Sequence, residues 1–99
     1  MKKIKKTFYP ETNKIASEWH LLNNKYHRED GPAKIWYYKK YGKIECLQYY
    51  INGKLHREDG PARIWCDRYG KITKEDYWIN GKEITDGFQI MVIRGLGMK

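Results

Sequence analysis

The sequence lacks long hydrophobic runs, and none of its apolar stretches exceeds four residues. A membrane-spanning helix needs about 20 consecutive apolar residues, and a signal peptide needs an apolar segment after its basic start, so we expect neither. Cysteine is also scarce. Cys46 and Cys66 are the only two, too few for a disulfide framework, and we expect them to be reduced thiols in a cytoplasm that act as small buried apolar side chains.

The patterns that mark common enzyme and metal sites are missing as well. The sequence contains no phosphate-binding loop, no Ser-His-Asp arrangement and no clustered metal-ligand spacing. We therefore expect no catalytic residue, no metal site and no cofactor. An enzyme ranks below a binding protein on these grounds.

Basic and aromatic residues, in contrast, are abundant. The 99-residue chain, enough for one small domain, holds 20 Lys and Arg against 12 Asp and Glu, and 15% of it is aromatic. Residues 1–72 carry the whole net charge of +8, because residues 73–99 contain four basic and four acidic side chains. Four of the lysines lie within residues 1–6, so half of the excess is predicted to lie in a mobile basic tail.

A repeat organises the chain. Residues 50–65 echo residues 21–36 at a constant offset of 29, and both contain the block Lys-x-His-Arg-Glu-Asp-Gly-Pro-Ala with a Trp three residues later. A third copy opens at residues 78–82 and then departs from the pattern. The sequence therefore predicts one domain with these parts: a tail 1–6, a half repeat 13–24, repeat one 25–53, repeat two 54–81 and a cap 82–99.

The turns of the repeat predict its geometry. Asn52-Gly53 and Asn80-Gly81 are typical two-residue hairpin turns because both residue types accept a positive φ, and Asn23-Asn24 fills the same place. Runs rich in Ile, Tyr and Trp lie between the turns and favour strands. We therefore expect an all-β fold, an elongated and twisted antiparallel meander of hairpin repeats of 28–29 residues. The expected strands are residues 15–22, 25–28, 33–38, 44–51, 54–57, 62–67 and 72–79.

The block Asn-Gly-Lys-x-His-Arg-x-Asp-Gly-Pro-Ala, with the Trp and Tyr-Gly that follow it, resembles the variant MORN-type repeats of phages, large DNA viruses and bacteria. The resemblance covers about residues 14–87 and implies stacked β-hairpins in a non-enzymatic binding protein. It further implies a phage or viral accessory protein that inhibits a host defence or nucleic-acid enzyme by binding it in the host cytoplasm. The chain departs from the standard MORN repeat at Arg-Glu-Asp, where a Gly is usual, so lipid binding is not carried over and no membrane partner is expected.

Each block supplies His, Arg and Asp at the same positions of successive repeats. A His beside carboxylates could hold a metal or move protons. A structural role as a turn motif is favoured, because a structural device must recur in every repeat, whereas an active site is needed once. Asp before Gly-Pro can accept backbone N–H groups, and Arg can pair with a carboxylate. The predicted structural residues are His27, Arg28, Asp30, His56, Arg57 and Asp59.

A basic and aromatic stripe is the predicted binding site. Period-two alternation places Lys34, Trp36 and Tyr38 on one face of a strand, with Arg63 and Trp65 on the same face of the next repeat. Such a stripe could bind a protein, since Trp, Tyr and Arg are enriched at interface anchors, or single-stranded nucleic acid by stacking and phosphate contact. It could also be the packed side of the sheet, with the basic stems covering the rings. We expect a protein partner, with nucleic acid as the alternative.

Residues 88–97 form the most apolar segment and stand outside the repeat. Their β-branched residues favour a strand, whereas the spacing of Phe88, Met91 and Val92 also fits one face of a helix, so the sequence leaves both open. A terminal repeat needs capping, and we expect this segment to be a lid over the last repeat. A homodimer contact is the alternative.

Overall fold

Antiparallel strands dominate the computed structural model, which describes residues 1–40 and 42–95. The strands and the one short helix in this part of the chain confirm the expected all-β meander. In chain order they are β1 Lys2–Phe8, β2 Ile15–Leu22, β3 Lys25–Tyr26, β4 Lys34–Tyr37, β5 Ile44–Gln48, β6 Tyr50–Ile51, β7 Lys54–Leu55, β8 Arg63–Cys66, β9 Ile72–Ile79, β10 Lys82–Ile84 and α1 Gly87–Ile93.

One continuous sheet contains most of the strands, in the order β1-β2-β4-β5-β8-β9-β10. β3 adds to β2, and β6 pairs with β7 as a separate two-stranded ribbon. Each of these pairings is antiparallel. The described chain measures 48 × 35 × 20 Å, so the sheet forms a single elongated layer.

The prediction of a mobile basic tail at residues 1–6 is wrong. Lys2–Phe8 form β1, which pairs with β2 from Lys2 opposite Leu22 to Phe8 opposite Ile15. Every residue of this edge strand is exposed. Lysines on an edge strand oppose pairing with a further chain. The segment could not be recognised as a strand from the sequence, because most of its residues are charged.

The hairpin turns adopt the left-handed backbone that the sequence predicts. The φ angle is 49° at Asn52 and 82° at Gly53, and Asn24, which stands where the later copies have Gly, has a φ of 66°. The strands beside the turns are shorter than expected, because β3 and β7 end after two residues, before the His-Arg blocks begin. The expected strand 44–51 divides at Tyr49 into β5, in the main sheet, and β6, in the ribbon.

The two faces of the sheet follow from the strand register, because residues directly opposite each other share a face. Trp36 lies opposite Cys46, and Cys46 lies opposite Trp65. We name this side the Trp face. Its members are Ser17, Trp19, Lys34, Trp36, Cys46, Gln48, Arg63, Trp65, Lys74 and Asp76.

The opposite side, named the block face, carries most of the core. Ile35, Leu47 and Ile64 form an apolar row across β4, β5 and β8. Ile35 and Ile64 are buried, and the neighbouring Ala33 and Ala62 are completely buried. The apolar core therefore lies mainly on this side of the sheet.

The C-terminal segment resolves into a helix rather than a strand. Asp86 caps α1, its carboxylate accepting hydrogen bonds from the backbone N–H groups of Phe88 and Gln89 at 2.9 and 3.1 Å. The lid expectation is wrong for the described part of this segment, since α1 buries none of its residues and Phe88 is 66% exposed. Residues 96 and 97 of the expected segment lie outside the described residues. Within residues 1–40 and 42–95, no helix has the length and hydropathy needed to cross a membrane.

Candidate binding surface

The arginine of each block holds its own loop in place. Arg28 Nε donates to Asp30 at 2.9 Å, and Arg57 Nε donates to Asp59 at 3.1 Å. In both copies a terminal nitrogen also donates to the carbonyl of the proline four residues on, at 3.3 and 3.1 Å. The Arg57 guanidinium stacks 4.1 Å from the centroid of the Tyr49 ring. Charge-assisted hydrogen bonds of this kind are among the stronger ones in proteins, and here they close the Asp-Gly-Pro turn.

The histidine of each block ties one repeat to the next. His27 Nδ1 accepts a hydrogen bond from the backbone N–H of Asn52 at 3.0 Å, and His56 Nδ1 accepts one from Asn80 at 2.9 Å. Each bond requires an unprotonated Nδ1, which leaves Nε2 to face the glutamate of the same block at 3.5 and 3.3 Å. This inter-repeat bond was not predicted; the available signal was that each His precedes the next Asn-Gly turn by a similar distance, 25 and 24 residues.

A groove of about 710 Å³ separates the two blocks on the block face. Arg28, Arg57 and His56 line it. Each of the three makes the contacts just described. Among residues 1–40 and 42–95, no three His, Cys, Asp or Glu side chains lie close enough to hold a metal ion.

The Trp face contains a smaller cleft. We name it the Trp slot. Trp36 and Trp65 form its sides, Trp65 is 36% exposed, and the volume of the slot is about 250 Å³. The slot is lined by Trp36, Glu45, Cys46, Gln48 and Trp65.

Lys34, the first predicted cation of the stripe, lies in a cage of aromatic rings. Its Nζ is 3.8 Å from the centroid of the Tyr26 ring and 5.2 Å from that of Tyr50. The rings of Trp36 and Trp19 lie at 5.5 and 5.8 Å. A cation over several ring faces is attracted to each of them, so the Lys34 charge is held by the protein itself.

Arg63, the second predicted cation, is neutralised by a carboxylate. Its Nε donates to Asp76 at 2.9 Å, and Asp76 is buried. The Arg63 guanidinium also lies 5.6 Å from the centroid of the Trp78 ring and 6.0 Å from that of Trp65. Lys34 and Arg63 therefore make stabilising contacts within the Trp face. The surface that is open for binding belongs to Trp36 and Trp65.

Tyr38, predicted on the same strand face as Lys34 and Trp36, is not among the residues that line the Trp slot. β4 ends at Tyr37, and the register shift beside it leaves Glu45 of β5 as the extra residue. The Tyr38 hydroxyl donates to the carbonyl of Cys66 at 2.7 Å. Tyr9 makes the equivalent bond to the carbonyl of Tyr37, also at 2.7 Å, so this tyrosine position joins successive repeats.

The two thiols are free, and burial governs their chemistry. Cys46 is 2% exposed, and burial raises its pKa to about 11. Burial also raises the pKa of the Cys66 thiol, although Cys66 is only partly buried. Cys46 is therefore neutral near pH 7, and Glu45 is the anionic side chain that lines the slot.

The edge strand β1 brings further positive charge to the Trp face. Lys5 lies opposite Trp19, and Lys3 lies opposite Leu21, so both lysines share the face of the stripe. The predicted tail contained these lysines and left them unconnected with the aromatic residues. They extend the basic character of the Trp face beyond Lys34.

No protein-family model, curated protein or solved structure matches this chain. The resemblance to MORN-type repeats therefore stays a prediction. The functional argument depends on the geometry of the sheet and its two faces.

Proposed function

We propose that this chain is a non-enzymatic protein-binding repeat module that recognises its partner through the Trp face. The observation that carries the proposal is the Trp slot, in which two partly exposed indoles flank a cleft that no other side chain fills. Trp is the residue type most often found at the energetic centre of protein interfaces. The block face, whose polar groups bind one another, serves as the scaffold that presents this surface.

The contacts that Lys34 and Arg63 already make favour a protein partner over a nucleic acid. Lys34 and Arg63 are the two cations predicted for the stripe, and both already interact with aromatic rings or with Asp76. Phosphate binding would have to break or share these contacts. A protein partner needs only to cover the indoles and exclude water around them.

The resemblance of the repeat extends this proposal to a biological setting. It supports a phage or viral accessory protein that inhibits a host defence or nucleic-acid enzyme by covering its surface in the host cytoplasm. For that extension, adding the purified chain to the captured enzyme must lower its turnover. Unchanged turnover at saturating chain would remove the inhibitory role and leave the binding role in place.

The test of the binding surface is a pair of double variants. Trp36→Ala with Trp65→Ala removes both sides of the slot. Glu29→Ala with Glu58→Ala removes two exposed carboxylates from the blocks and serves as the matched control. Pull-down from host extract with the wild-type chain identifies the partner, and titration calorimetry with the purified partner then measures each variant.

We expect the Trp variant to lose at least about tenfold in affinity, since interface tryptophans commonly contribute 2 kcal/mol or more, and the control to bind as the wild type does. Circular dichroism establishes that both variants are folded. A folded Trp double variant that keeps full affinity for the partner would show that the surface is elsewhere.

Direct binding of single-stranded nucleic acid is the second candidate function. The observation that favours it is the position of Lys3 and Lys5 beside Trp19, which places exposed cations next to the aromatic stripe. Such binding weakens steeply as salt rises, because phosphate contacts release counterions. Fluorescence anisotropy with labelled single-stranded DNA and RNA at rising salt measures this slope, and weak retention that does not change with salt would exclude the candidate.

A further inference from the structure

The Trp slot has a shape that suits a flat group. Trp36 and Trp65 stand on β4 and β8, with β5 between them, and lie on either side of Cys46 in the same row. Strands are spaced about 4.8 Å apart, so the backbones of the two tryptophans are about 10 Å apart. The short side chain of Cys46 leaves the space between them open. A group that enters this space meets an indole on each side.

The charge of the slot is set by one unpaired carboxylate. Glu45 lines the slot and forms no hydrogen bond or ion pair with any residue in 1–40 or 42–95. Gln48 adds an amide at the same site. Lys34 is held over the Tyr26 ring, Arg63 is bound to Asp76, and Lys74, which lies opposite Trp65, forms no ion pair with Glu45.

Arginine combines the properties that this site selects. Its guanidinium is planar and always charged, stacks on aromatic faces and presents a fork of donors to a carboxylate. The ammonium of a lysine is compact and strongly hydrated and would leave much of the gap unfilled. A nucleobase would stack as well, but its phosphate would come near the Glu45 carboxylate.

We propose that the Trp slot receives the guanidinium of an arginine side chain on the protein partner, stacked between Trp36 and Trp65 and paired with Glu45. This inference rests on the proposed protein-binding function and names the group that the partner presents. It also explains how a chain with a net charge of +8 can select a basic side chain at one point of its surface. Lys34 and Arg63 lie 5.5 and 6.0 Å from the two indoles, but their charges are held by the Tyr26 ring and by Asp76. Solvent screens charges farther away than about 10 Å, so the local carboxylate decides the choice.

The experiment titrates the full-length chain with a blocked Gly-Arg-Gly peptide and follows the indole N–H signals by NMR. Trp36 and Trp65 report on the slot, and Trp19 and Trp78 serve as internal references. We expect shifts confined to the first pair. Glu45→Gln should lower the affinity for the peptide by about threefold or more, which is the size of effect expected for a partly exposed ion pair.

Matched probes and variants isolate each part of the inference. Glu75→Gln makes the same charge change on β9, opposite Ile64 on the block face, and should leave the affinity unchanged. The citrulline peptide keeps the planar shape without the charge, the lysine peptide keeps the charge without the plane, and both should bind more weakly than the arginine peptide. Adenosine monophosphate tests the nucleobase as an occupant.

Three results would overturn the inference. They are equal binding of the citrulline peptide, stronger shifts of the slot indoles with adenosine monophosphate, and no shift of those indoles with the arginine peptide at any concentration. In each case, titration of the protein partner with the Trp36→Ala, Trp65→Ala variant still tests the proposed function independently. If that variant also binds the partner normally, both proposals fail.

Discussion

The two faces of the sheet use the same repeat in different ways. On the block face the copies make matching contacts, since His27 and His56 each accept from the next Asn-Gly turn, and both block arginines bind the aspartate two residues on. On the Trp face the copies diverge, with Lys34 caged by rings in one and Arg63 paired with a carboxylate in the other. Contacts that hold repeats together must recur, whereas a binding surface is free to vary between copies.

Removing a block arginine should produce the largest loss of stability. Arg57→Ala deletes the hydrogen bonds to Asp59 and to the Pro61 carbonyl together with the stack on Tyr49. We expect the free energy of unfolding to fall by about 2–3 kcal/mol, measured by urea denaturation. Arg57→Lys should recover little, because an ammonium cannot reproduce the donor fork.

A matched change on the Trp face tests that contrast. Lys74→Ala removes an exposed cation from β9 and should change stability by less than about 0.5 kcal/mol. If Arg57→Ala costs no more than Lys74→Ala, the block face does not hold the repeats together, and the comparison between the faces collapses.

The inter-repeat histidines should show the next largest effect. His27→Ala leaves the Asn52 N–H without its acceptor and should lower the free energy of unfolding by about 1–2 kcal/mol. His56→Ala should cost less, because the His56 side chain is 14% exposed against 8% for His27 and water can replace the lost bond more readily. His27→Asn, which keeps an acceptor, serves as the control in thermal denaturation; equal losses for Ala and Asn would mean that packing, not the hydrogen bond, is what His27 supplies.

The first hairpin turn offers a smaller, stabilising change. Asn24 has a φ of 66°, at the position where the later turns have Gly53 and Gly81. Asn24→Gly should raise the free energy of unfolding by about 0.5 kcal/mol, because glycine adopts positive φ without steric cost. The reciprocal Gly53→Asn should lower it by a similar amount, and chemical denaturation of both variants compares the two turns. A rise with Gly53→Asn would contradict this account of the turns.

The smallest effect concerns pH and the Cys46 thiol of the Trp face. Because the pKa of Cys46 is raised from 9.0 to about 11, the folded chain holds this proton more tightly than the unfolded chain. Its contribution to stability is therefore complete below pH 9.0 and is lost as pH rises through about 11. Denaturation at a series of alkaline pH values should show a shallower decline for Cys46→Ala than for the wild type. Parallel declines would mean that Cys46 is not buried as described.

Parts of the fold could be predicted because local chemistry decides them. The strands at residues 15–22 and 72–79 match β2 and β9 at both ends, since alternation and the flanking turns define them. The Asn-Gly turns follow from the φ preferences of two residue types. β1 could not be predicted in this way. It is a strand because the outer edge of β2 supplies hydrogen-bond partners, and the sequence of residues 2–8 does not indicate that pairing.

The candidate site was predicted only in part. Trp36 and Trp65 could be placed on one face from period-two alternation, whereas Tyr38 lies beyond the end of β4 and does not line the slot. Glu45 was not found, because its place in the slot depends on the pairing of β5 between β4 and β8. The neutralisation of Arg63 by Asp76 likewise joins two residues that only the sheet brings together.

The sequence by itself determined the repeat, its hairpin turns and the two-sided distribution of aromatic residues, because these depend on contacts and preferences within a few residues. The tertiary structure decided what each face does. Whether a cation is free or held, and whether a tryptophan is packed or open, depends on neighbours contributed by other strands, such as Asp76, 13 residues from Arg63. Those neighbours are chosen by strand register, which no single repeat contains.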